Sequence, residues 1–283
     1  MNNDIFSFRR FSVYLTQYIG QNYKKLLRIA LGTLLFMIVA IAVLPILNGR
    51  YLHPFYPDYD AFWDTEIPII WISAFVIIFT AAAAAFMSYD TKGKRIINLT
   101  LPVSALEKFF SYFIIFVIGT IAVFVLSVFI ADWLRVLTAP MYADPEAYIA
   151  PLGVDRILSF GNEYSDPYFT EKNKALLSLT LINLFFIQAY FFLCASIWPR
   201  TSRVKGILSL ALIVISCVAL TSISFKIMFF PGGFEPRDFM WKLDSVKPYT
   251  LVKIGNYLSV LPILVFYVIS YLRFKEMESI NRW

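Results

Sequence analysis

The sequence predicts an all-α polytopic membrane protein, with six transmembrane helices and an N-terminal amphipathic interfacial helix. Three observations lead there. Of 283 residues, 59% are hydrophobic and 16% charged, against roughly 45–50% and about 25% in soluble domains. Six stretches, 29–47, 67–87, 109–131, 175–198, 206–225 and 254–272, hold no Asp, Glu, Lys, Arg or His. The segments between them alternate in charge along the chain.

The six stretches are 19, 21, 23, 24, 20 and 19 residues long, and a helix needs roughly 20 apolar residues to cross a hydrocarbon core about 30 Å thick. A soluble enzyme with one anchor is excluded, as is an outer-membrane barrel, whose strands alternate over about ten residues. Segments 1–28, 88–108, 199–205 and 273–283 carry 15 Lys+Arg and 5 Asp+Glu, whereas 48–66, 132–174 and 226–253 carry 10 and 14. The positive-inside rule assigns the first set to the cytoplasm, which makes a multi-pass inner (cytoplasmic) membrane protein with both termini cytoplasmic. The net charge of +6 therefore reports topology and the lipid bilayer as partner, and no nucleic acid is implied.

The whole chain, 1–283, reads as a single transmembrane domain. In 1–28, the helical wheel of 5–22 gathers Phe8, Phe11, Tyr14, Leu15, Tyr18 and Ile19 in one arc, with Arg9, Arg10, Thr16, Gln17 and Gln21 across from it. That pattern fits a membrane-surface anchor alone, or a helix that also touches a cytoplasmic subunit. The span 29–47 then acts as a retained signal anchor, since Asn48-Gly49-Arg50 offers no small-residue cleavage site. On the outer side, 132–174 is long enough for a small cap, and 226–253 combines a Pro231-Gly232-Gly233 turn with Phe234, Phe239, Met240 and Trp241. Cys194 and Cys217 fall within spans as small apolar side chains.

Catalytic chemistry has no foothold in this pattern. The single histidine, His53, precedes Pro54 in an outer loop, and no His-Glu-x-x-His or Gly-x-Ser-x-Gly motif or metal-ligand spacing is present. Tyr89-Asp90 resembles half of an intramembrane aspartyl protease pair, but the spans hold no second carboxylate for it to share a proton with. No phosphate-binding Gly-x-x-x-x-Gly-Lys-Ser/Thr loop occurs, so the chain is not expected to be an enzyme or to bind a cofactor itself. The spans also lack the ionisable ligands of ion-coupled transporters. Their notable polar residues are Thr80, Asn183 and Gln188, placed either for hydrogen bonds between helices or along a substrate path.

The inner loop 88–108 is the informative one. Lys92, Lys94 and Arg95 suit lipid headgroups, Ile96, Ile97, Leu99 and Leu101 give an apolar side, and Pro102 disfavours helix at Leu101. Ser104 and Glu107 form the Ser-x-x-Glu capping box that starts the helix of the third span. The run Leu99-Thr100-Leu101-Pro102-Val103-Ser104-Ala105-Leu106-Glu107-Lys108-Phe109-Phe110-Ser111 is similar to the Leu-Pro-x-Ser-x-x-Glu-Lys segment in permease subunits of type-2 ATP-binding-cassette (ABC) transporters. It departs from many relatives at Ala105, where they have a basic residue, and at Tyr112, where they have lysine.

The resemblance implies a coupling helix in this loop that rests on a separate ABC-type ATPase subunit, with contacts among Asp90, Arg95, Leu101, Pro102, Val103, Ser104, Glu107 and Lys108. It also implies a homo- or heterodimer of permease chains, ATP and Mg bound by the partner subunit, and export of a substrate. The uncharged spans suit a lipid-like, peptide or otherwise amphipathic cargo. The competing reading is a non-transporting membrane scaffold, sensor or immunity protein, in which 88–108 is only a helix start with snorkelling lysines.

Overall fold

The computed structural model of the protein describes residues 6–43, 59–89, 100–138, 167–229 and 248–280, with Thr91, Gly93, Ile96, Asn98 and Met141 between them. For 59–67, 167–176, 217–229, 248–257, 259 and 278–280 only the backbone is described. Among the described residues there are helices and no strand. Helix α1 (Phe8–Ile38) ends in a π-helical turn, Val39–Val43. Helix α2 (Tyr59–Ala83) is followed by a 3-10 turn, Met87–Tyr89. Helix α3 (Ala105–Phe113) passes through a second π-helical turn (Ile114–Gly119) into α4 (Thr120–Thr138). Helices α5 (Pro167–Ile197), α6 (Ser202–Phe229) and α7 (Pro248–Ile280) complete the set.

Among the described residues, four stretches are long and apolar enough to cross a membrane: Phe8–Val43, Pro68–Tyr89, Ala105–Thr138 and Leu177–Ile197. The expected fifth and sixth spans lie on α6 and α7, which are 28 and 33 residues long. The helices overrun the expected boundaries. α1 runs from Phe8 to Ile38 with no break at residue 28, so the amphipathic segment and the first span form one continuous helix rather than two elements. α4 continues to Thr138, past the boundary expected at 131, where Arg135 closes back on Asp132. The loops expected at 48–66, 132–174 and 226–253 fall largely outside the described residues.

Two cores bind the helices. One is aromatic: Phe86, Tyr89, Phe109, Tyr112, Phe116, Phe191, Phe192 and Phe274 are buried together with Ala82, Ala83 and Ala85. The small residues of α2 let its neighbours approach closely, which is how helices gain dispersion energy in a bilayer, where apolar transfer offers little. Phe86 lies at the centre, with ring centroids 5.3 Å from Tyr112, 5.0 Å from Phe192 and 5.2 Å from Phe274. The second core is mostly aliphatic and joins Met37 and Ile41 to Ile70, Ala74, Ile78, Phe124, Val128 and Leu184.

These cores fix the direction of each helix. α1 and α3–α4 run from the aromatic core to the aliphatic one, and α2 and α5 run back. α7 lies parallel to α5, with Phe266 beside Phe186 and Phe274 in the aromatic core. α6 starts at the aromatic end, where Ser202 Oγ donates to Ala83 O. The entry to α1, the loop 88–108, the link 199–205 and the exit of α7 therefore share one end of the bundle. These are the four basic segments of the sequence.

At this end Ser7 and Arg10 of α1 meet Glu107, and Tyr18 packs edge to face on Tyr112 with ring centroids 5.2 Å apart. The aromatic core gives a direct expectation for stability. Phe86→Ala should lower stability by about 3–5 kcal/mol, because no partner atoms replace the ring. Leu212→Ala, on a face that is 65% exposed, should change it by less than about 0.5 kcal/mol. Denaturant titration in detergent micelles measures both, and equal losses would contradict the packing described.

Candidate functional site

The loop between α2 and α3 is built around one carboxylate. Ser104 is extended (φ −67°, ψ 154°), its Oγ accepts from Glu107 N–H at 3.3 Å, and its own N–H donates to Glu107 Oε2 at 2.9 Å. That reciprocal capping box satisfies two of the N–H groups that a helix start leaves without partners. The other oxygen, Oε1, faces α1: it accepts from Ser7 N–H at 2.7 Å and from Arg10 Nη2 and Nε at 3.0 and 3.3 Å. Glu107 is fully buried, while the Arg10 side chain stays 34% exposed.

Lys108 continues the tether on the next side of the helix. Its Nζ donates to Asn98 O at 2.8 Å, and Asn98 Nδ2 donates to Ser88 O at 3.1 Å, so α3, the loop and the end of α2 are tied in sequence. Ser88 Oγ also shares a hydrogen bond with Tyr112 OH at 2.8 Å, and Tyr14 OH donates to the same phenol at 3.4 Å. Across Pro102 the chain turns sharply, with Val103 N–H donating to Leu101 O at 2.8 Å. Gly93, Ile96, Asn98 and Thr100 are helical.

The inner and outer surfaces of the loop therefore differ. Glu107 and Lys108 point inward and hold the segment, and Leu101, Val103 and Ser104 are half-buried. Gly93, Ile96, Thr100 and Pro102 face outward, Ile96 being 61% exposed. Asp90 and Arg95 lie outside the described residues.

The three polar residues of the spans are not brought together. Thr80 Oγ1 donates within its own helix, to Val76 O and Ile77 O. Asn183 is exposed on α5. Gln188 is fully buried, and its Nε2 reaches Val117 O, at 3.5 Å, in the π-helical turn, where the wider spacing loosens the regular backbone ladder. The structure adds a pair absent from the sequence-based set, a buried Asp132–Arg135 bridge at 2.7 Å on α4. Its signal was the Asp-x-x-Arg spacing at the end of a span, which places both side chains on one helix face. Among the described residues no cluster of His, Cys, Asp and Glu could hold a metal.

No family model, curated protein or solved structure matches the chain.

The geometry predicts a large effect at both ends of the clamp. Glu107→Ala strands three donor groups, and Arg10→Ala leaves a buried carboxylate without its counter-charge, so each should cost about 3–5 kcal/mol. In the Glu107→Ala background the Arg10 substitution should have almost no further effect. A double-mutant cycle by denaturant titration in detergent reads the coupling, and additive losses would show that the two residues do not interact.

Proposed function

We propose that this chain is the membrane-spanning permease subunit of a type-2 ABC transporter, crossing the inner membrane six times with both termini in the cytoplasm. The observation that carries the reading is the loop between α2 and α3. It lies at the end of the bundle where the basic segments gather, is fixed from within by Glu107 and Lys108, and presents Ile96, Thr100 and Pro102 outward. A surface meant to receive force from another subunit needs that combination of an apolar exposed edge and a rigid attachment to the spans.

In this reading a separate ATPase subunit binds ATP and Mg and presses on the outward residues of the loop. Displacement passes through Pro102 and the Ser104–Glu107 cap into α3, and through Arg10 and Ser7 into α1. Two such chains, identical or similar, would enclose the path, and the cargo would be an amphipathic molecule moved outward. The chain performs no bond chemistry itself. The amphipathic start of α1 serves as the interfacial segment, at the headgroup level where the helix enters the bilayer.

The test is purification of the tagged protein from its native membrane in a mild detergent, with identification of the chains that accompany it. A nucleotide-binding ATPase should co-purify. Ile96→Asp should reduce its recovery about tenfold, the equivalent of roughly 1.4 kcal/mol, without lowering the stability of the permease. Absence of any ATPase, or recovery unchanged by Ile96→Asp, would sink the reading and return weight to a scaffold without transport.

A further inference from the structure

The corner between α5 and α6 carries three cations, Arg200, Arg203 and Lys205, within seven residues that include no acid. All three side chains are exposed, and none is bridged to a carboxylate among the described residues. Arg203 Nη2 is 3.6 Å from the Met87 sulfur, and Lys205 Nζ is 5.7 Å from the centre of the Trp198 ring. Three basic groups elsewhere at this end are differently employed. Arg10 binds Glu107, Arg273 binds Glu276 at 2.8 Å, and Arg28 Nε donates to Lys24 O at 3.1 Å.

The corner is also rigid. Thr201 N–H donates to Trp198 O and Lys205 N–H to Thr201 O, while buried Ser202 fastens the turn to α2. At Gly206 the backbone comes so near α5 that an added Cβ would lie 2.8 Å from a ring carbon of Phe191. Directly beyond the cations, α6 exposes Val204 (64%), Ile207 (50%), Leu208 (60%) and Leu212 (65%). From Ala211 to Ser216 every residue is exposed, and among the described residues no helix covers that apolar face. Trp198 marks the level of a membrane interface, where indole rings concentrate.

We propose that this corner is a binding site for an anionic phospholipid. Arg200, Arg203 and Lys205 take the phosphate-bearing headgroup, and an acyl chain lies along Val204, Leu208 and Leu212. Charge complementarity selects the headgroup, and the apolar helix face directly above it selects a lipid over a soluble anion. Zwitterionic lipid has the same acyl chains without the net charge, so it competes poorly. The site is independent of the transport reading, because it requires only that this end of the bundle sit at a bilayer surface.

Native mass spectrometry of the full-length protein in neutral detergent tests it, with phosphatidylglycerol, phosphatidylcholine of the same acyl chains, and inorganic phosphate titrated separately. Phosphatidylglycerol should bind in preference to phosphatidylcholine, and each cation changed to Gln should reduce that preference about fivefold. Arg203→Gln alone suffices if the triple variant folds poorly. Lys24→Gln on α1 should leave the preference unchanged. Leu208→Ser should weaken both lipids together. Equal binding of the two lipids, a preference that survives the triple substitution, or equally tight binding of inorganic phosphate would overturn the proposal.

Discussion

Glu107 is the constraint on which the basic end of the bundle depends. A carboxylate removed from solvent is tolerated only when its lone pairs are satisfied, because the uncompensated charge costs several kcal/mol. Here one oxygen closes the helix cap of α3 and the other binds the backbone and guanidinium of α1. The same side chain thus sets where α3 begins and where α1 sits. Position 112 fits this arrangement. In this chain Tyr112 is fully buried within the aromatic core and its hydroxyl meets Ser88 and Tyr14. An ammonium at that place would need a carboxylate, and both Glu107 oxygens are already engaged.

The two ends of the bundle are packed by different means. At the basic end, rings of the aromatic core meet mostly edge to face, and such pairs contribute about 0.5–1.5 kcal/mol each beyond simple contact. At the other end, branched and small aliphatic chains interdigitate across α1, α2 and α4. The π-helical turn of the third span lies between these regions, and Gln188 braces it from α5.

Much of this was legible in the sequence, for reasons of range. The helices follow from long runs without charge, and the Ser104–Glu107 cap follows from four adjacent residues, so both are local. The partner of Glu107 on α1 was not, since Arg10 is 97 positions away. Arg10 counts with the polar residues, but on the wheel it borders the apolar arc, only about 40° from Tyr14, and its flexible stem covers the difference. The motif residues Glu107 and Lys108 read equally well as outward contacts, and their burial depends on Ser7, Arg10 and Asn98, which no spacing rule reveals. Asn183 carried no local sign of facing outward, because α5 is apolar on all sides and offers no moment to orient it.

The most direct test of this account is a distance between α1 and α3 in the membrane. Spin labels at Ser12 and Phe110, with Cys194 and Cys217 replaced by alanine, would be measured by double electron–electron resonance in lipid nanodiscs. The account predicts one short, narrow distance distribution that broadens and lengthens in Glu107→Gln. A broad distribution in the parent protein, or a narrow one unchanged by Glu107→Gln, would contradict the claim that this carboxylate holds the two helices together.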